Sequence, residues 1–171
     1  VTVLAAAAAR RFFPRGGIAL LLIAAVACGG LTWRRNLDYA DQVAMYEGII
    51  RERPNNARGM ALLGDYYLRA RRPDDALRML ERSLALEPGV PQVLNNLGLV
   101  QLELGRPGPA VENFRKARTL RPLDPAFSAN LGQALFLAGR TDEALVELAT
   151  AIQLAPADTS HQVNFASALA Q

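Results

Sequence analysis

The chain has 171 residues, room for about one ordinary domain and an attachment. Its net charge of +3 lies wholly in the first 56 residues, where seven Arg face four acids. The rest is neutral, with twelve residues of each sign, so the sequence pI of about 9.5 carries no nucleic-acid footprint. One cysteine, Cys28, excludes an internal disulfide and a thiolate zinc cluster.

Residues 1–15 form a basic flank, with Arg10, Arg11 and Arg15 around Phe12 and Phe13. Val1 stands where an initiator Met is usual, which reads as an alternative start or a fragment. Residues 16–33 carry no charge and would rise roughly 27 Å as a helix, just under the ~30 Å hydrocarbon core of a bilayer. Arg15 in front, Arg34 and Arg35 behind, and aromatic Phe12, Phe13 and Trp33 at the edges suit a membrane-spanning helix over 16–35. Two rivals remain: a cleaved signal peptide, and a lipoprotein signal with lipidation at Cys28, since Ala25-Val26-Ala27-Cys28-Gly29 approaches a lipobox. The cations ahead of the span place the flank in the cytoplasm and the rest of the chain on the non-cytoplasmic side of the cell membrane. Eighteen of the 19 basic residues are Arg, a bias typical of GC-rich bacterial genomes.

Residues 36–56 carry a helical apolar stripe (Leu37, Val43, Met45, Tyr46, Ile49, Ile50) that ends at Pro54. From residue 57 one pattern is written three times in 34-residue steps: 57–90, 91–124 and 125–158. A partial fourth copy or capping helix covers 159–171. A fixed period of this length marks stacked helical repeats. Small residues recur at Gly64, Gly98, Gly132, at Ala76, Ala110, Ala144 and at Ser83, Ala117, Ala151, where two helix backbones are expected to approach closely. Leu80, Phe114 and Leu148, with Leu86, Leu120 and Leu154, are expected to fill the space between helices. Pro88, Pro122 and Pro156 end each unit, because proline cannot continue a helix. Gly105 and Gly139 suit helix C-termini, and in the linkers Arg71-Arg72-Pro73-Asp74 and Gly139-Arg140-Thr141-Asp142 the Asp or Thr suits the next N-cap. Pro54 lies one period before Pro88, so 36–56 reads as a degenerate half-repeat that covers the front of the first full copy.

The Leu63-Gly64, Leu97-Gly98 and Leu131-Gly132 pairs, the Ala-to-Pro spacing, Tyr67 and Phe114 resemble the tetratricopeptide repeat (TPR) family. The departures are Met60, Leu94 and Ser128 where that family usually has Trp, and Gln101 and Leu135 where it usually has Tyr. The resemblance implies an all-α fold: a TPR α-solenoid, here preceded by one transmembrane helix. The run Arg35-Asn36, Tyr39, Asp41, Tyr46, Pro54-Asn55-Asn56 and Leu63-Gly64 also resembles the junction in O-mannosyltransferase-like transmembrane and TPR proteins. That likeness implies residues 1–9 as the tail of an earlier span, and the chain as the C-terminal repeat domain of a multi-pass glycosyltransferase-like protein.

The recurrent polar feature that packing does not require is Asn96, Asn130 and Asn164, 34 residues apart. With Arg58, Asp65, Arg69, Gln92, Asn95 and Gln133 they are expected on the inner curve of the stack. An amide donates and accepts at once, so such a ladder suits an extended peptide. It is similar to the asparagine ladder of the O-linked N-acetylglucosamine transferase superhelix. No nucleophile–base pair, phosphate loop or metal-ligand spacing is present in the sequence, so no catalytic residue, metal site or cofactor is nominated, and no enzyme activity is expected. His161, the only histidine, is expected to be exposed. The function this pattern favours is a membrane-tethered scaffold whose partner is a protein or peptide. The alternatives are the glycosyltransferase-like placement and a lipid-anchored assembly lipoprotein.

Overall fold

A computed structural model describes residues 41–169. The basic flank, the expected span over 16–35 and Cys28 lie outside the described residues. Among the described residues no helix is long and apolar enough to cross a membrane.

Eight helices follow one another without a strand among the described residues: α1 (41–52), α2 (Ala57–Arg69), α3 (Pro73–Leu86), α4 (Pro91–Glu103), α5 (Pro107–Leu120), α6 (Pro125–Leu137), α7 (Thr141–Leu154) and α8 (Thr159–Leu169). Four begin with proline at the first helical position, where a missing N–H costs nothing. Three of the four first helices, α2, α6 and α8, are capped by the side chain of the residue before them, whereas Val90 before α4 makes no such bond. Asn56 accepts from Gly59 N at 2.9 Å, Asp124 from Ala126 N at 3.1 Å and Asp158 from Ser160 N at 2.9 Å. The second helices differ from expectation. Their caps are Arg72, Arg106 and Arg140, with no side-chain cap bond, and Asp74 and Thr141 lie inside the helices. Arginine instead bridges the first turn: Arg72 Nε reaches Asp75 at 2.7 Å, and Arg140 grips both oxygens of Glu143 at 2.7 Å. The acids also favour the helix dipole there. Gly105 and Gly139 end α4 and α6 with φ of +70° and +75°; Arg71 takes the equivalent place after α2 at +59°.

Within a repeat the two helices meet through the small residues. Gly64, Gly98 and Gly132 lie under Leu80, Phe114 and Leu148, so close that a methyl group on any of them would fall within 2.7 Å of that side chain. Ala76, Ala110, Ala144, Ala117 and Ala151 are wholly buried beside them. Ser83 is buried in the same row, and its hydroxyl donates to Ala57 O at 2.9 Å. Full burial of a side chain the size of Phe114 is worth about 1.5–3 kcal/mol. Val43 and Ile50 of α1 join Met60, Leu63 and Tyr67 of α2 in one apolar cluster that continues to Val93 and Val100 of α4. The Tyr46 and Tyr66 rings stack at 5.4 Å.

Two expectations are corrected. Leu86 and Leu120 do not fill the interhelical space: they are 42% and 49% exposed, because the last turn of each second helix runs past the end of its partner. His161 is buried, at 7% exposure. It stands one period after Val93 and Phe127, both of which face the preceding repeat.

Candidate functional site

Consecutive helices pack together along the whole stack, and each first helix also touches the next first helix: α2 with α4, α4 with α6, α6 with α8. The second helices α3, α5 and α7 make no comparable contact with one another. Rods on the inside of a curve are crowded and those on the outside are splayed, so the first helices form the inner row.

The nine nominated residues all lie on this row. Arg58, Arg69, Gln92 and Gln133 are exposed; Asp65, Asn95, Asn96, Asn130 and Asn164 are half-buried. The structure joins several of them across repeats. Asn130 Nδ2 donates to Asn95 Oδ1 at 2.8 Å, and Asn96 Nδ2 to Asp65 Oδ1 at a long 3.4 Å. Within α2, Arg69 Nε donates to Asp65 at 2.8 Å; across to α4, Arg71 Nη1 reaches Glu103 at 3.1 Å. Each of these asparagine amides therefore spends one N–H on the neighbouring helix. Its carbonyl oxygen and second N–H keep no protein partner among the described residues.

At the α1 end of the stack, Tyr67 donates its hydroxyl to Glu47, and the Arg72 guanidinium lies 4.5 Å over the Tyr67 ring. Burial first, then the bond to Glu47 and its charge, push the phenol up to about 12. Asp75 is held below the usual carboxylate range: burial pushes it up, and hydrogen bonds from Arg78 and Arg72 outweigh that. Where the repeats lack the usual aromatics, polar atoms are buried without a partner: Gln101 Oε1 and Ser128 Oγ. The described residues hold no group of three His, Cys, Asp or Glu able to bind a metal.

Sequence reasoning missed a second concavity, on the outer side. A cleft of about 620 Å³ opens between α3 and α5, lined by Leu84, Leu94 and Leu120 with Pro88, Gly89, Asn113 and Lys116 around it. The available signal was a break in the period: Leu84 is answered one repeat later by Arg118.

Paired helices stacked in register, with one row crowded and polar, define a helical-repeat solenoid with an open inner face. The tetratricopeptide repeat model matches residues 61–108 and 96–159, more than half of the chain, and the chain belongs to that family. Among solved structures it is similar to MamA (TM-score 0.74, 20% identity, covering 80% of each chain). It is also similar to YrrB, described as a TPR protein with an unusual peptide-binding site (0.70, 22%, covering 78% of this chain and 69% of that one). A third is the first TPR domain of Spaghetti (RPAP3), bound to the HSP90 peptide SRMEEVD (0.63, 19%, 67% and 94%). A search of curated proteins gives no match.

Proposed function

We propose that the chain is a membrane-tethered scaffold that holds an extended peptide of a partner protein along its inner row of first helices. The observation that carries the reading is the repeat of Asn96, Asn130 and Asn164 on that row, with amide atoms still open to a ligand. First helices pack roughly 10 Å apart, and an extended peptide advances ~3.3 Å per residue. One amide then meets about every third peptide unit. Asn95 and Asp65 hold the amides of Asn130 and Asn96 in place, which lowers the entropy lost on binding. Two neighbours of the same fold have bound or peptide-binding forms named in their descriptions. The tether is the span over 16–35, uncharged from 16 to 33, with the repeats on the non-cytoplasmic side. The Arg35-to-Gly64 run favours a second placement, as the terminal repeats of a multi-pass glycosyltransferase-like protein.

The test uses peptides selected from a random dodecapeptide library against the full chain. Their affinities are then compared for wild type and for Asn96→Ala with Asn130→Ala. Two lost side-chain bonds of about 1 kcal/mol each predict a loss of at least about tenfold. Unchanged affinity in a variant that still melts cooperatively removes the ladder from the function.

A further inference from the structure

The seams between neighbouring second helices are not alike. Between α5 and α7, Arg118 reaches Glu147 at 3.2 Å and Arg115 reaches Glu143 at 3.6 Å, so two ion pairs clamp that seam. One repeat earlier the same four places hold Leu84, Asn113, Glu81 and Pro109. No such pairing is available there, and the 620 Å³ cleft occupies the gap. Its lining holds three leucines, Leu84, Leu94 and Leu120, with Glu112, Arg115 and Lys116 beside them, a size and lining suited to a few apolar side chains with a charged rim.

The same edge carries what such a cleft would receive. Leu123, in the linker three residues beyond Leu120, is 79% exposed, the largest exposure of any big apolar side chain among the described residues. Leu120 of the cleft is itself half-exposed, as is Leu86 one period earlier. Glu87, beside the Pro88-Gly89 rim, and Lys116, on the wall of the cleft, are both exposed. Neither has an ion-pair partner among the described residues. Leu123 follows the cleft residue Leu120 by three positions, Glu87 directly precedes the rim residue Pro88, and Lys116 lines the cleft, so an exposed leucine, an unpaired acid and an unpaired lysine share the edge of a leucine-lined cleft.

We infer that this edge is a self-complementary interface, and that its occupant is a second copy of the chain. In a twofold contact each pairing occurs twice. Leu123 enters the cleft of the partner subunit, and Glu87 pairs with Lys116 of the partner subunit, in both directions. The interface uses the outer side of the stack and leaves the inner row of first helices free. A dimer then presents two grooves, and a partner with two matching segments gains avidity without any new contact.

Lys116 is the only lysine, which makes the test direct. The full chain in mild detergent is followed by sedimentation equilibrium. Mixed isotopically heavy and light copies are treated with a zero-length carboxyl–amine cross-linker and read by mass spectrometry. The expected result is a dimer with a heavy–light link between Glu87 and Lys116. Lys116→Glu and Leu123→Asp each weaken dimerisation at least about tenfold, and Lys116→Glu combined with Glu87→Lys restores it to within about threefold. These positions are exposed, so the fold is retained, as unchanged circular dichroism checks. A monomer at about 100 µM, well above a micromolar dissociation constant, overturns the inference. So does a dimer indifferent to both single variants, which would locate self-association elsewhere, including residues 16–35.

Discussion

Gly98→Ala tests the packing logic of the repeat most directly. A methyl group there falls 2.6 Å from Phe114 Cε1, 2.7 Å from Cζ and 2.8 Å from Cδ1. Carbon atoms prefer roughly 3.5–4.0 Å, so the ring or the helix must move by about 1 Å. The ring cannot yield easily, since Phe114 is wholly buried in a close-packed interior. Overpacking of this kind costs about 1–3 kcal/mol. Against it stands the helix preference of Ala over Gly, about 1 kcal/mol. The internal control is Gly48→Ala: Gly48 is also inside a helix, α1, but a Cβ there meets nothing within 4 Å. The two identical substitutions therefore differ in expected outcome, with Gly48→Ala stabilising by up to about 1 kcal/mol and Gly98→Ala destabilising by up to about 2 kcal/mol once the helix gain is set against the overpacking. Urea titration at matched temperature, followed by circular dichroism, reads both. If Gly98→Ala gains stability as Gly48→Ala does, the close approach of α4 and α5 is not what selects glycine, and the reasoning fails.

Two further outcomes follow from local chemistry. The Tyr67 phenol is raised in the folded chain to about 12 against an ordinary 10, so its contribution to stability is complete below pH 10. That contribution is lost as pH rises from 10 toward 12, because the unfolded chain releases the proton first. The difference between wild type and Tyr67→Phe in chemical denaturation should be about 1 kcal/mol at neutral pH and shrink across that window; a flat difference curve would contradict the Glu47 bond. Arg71 holds a left-handed conformation at φ +59°, where its counterparts are Gly105 and Gly139. Relief of about 1 kcal/mol of backbone strain should outweigh an exposed ion pair to Glu103, so Arg71→Gly is expected to raise the melting temperature, and a fall of several degrees would show that the pair matters more.

How much was legible in advance depended on whether a position speaks through the period. Gly98 and Phe114, or Gly132 and Leu148, recur with fixed spacing on helices joined by short links, so their meeting within a repeat could be read from residue classes alone. His161 could not be read from its own type. Its burial is visible only when it is lined up with Val93 and Phe127, since a histidine in an apolar row looks like a solvated residue. Leu86 and Leu120 misled in the opposite direction, because a recurrent leucine signals a core position unless the neighbouring helix ends too early to cover it.

By itself the sequence determined the helices, their pairing and the order of the stack, because these follow from a 34-residue rhythm of small, large and helix-ending residues. Only the tertiary structure decided which polar groups meet across repeats, such as Asn130 with Asn95 and Arg118 with Glu147, and that the seam at Leu84 stays open. The physical reason is one of range. Packing within a repeat is set by neighbours in the chain, whereas contacts between repeats depend on how far one rigid pair turns relative to the next, a small angle that residue classes do not encode.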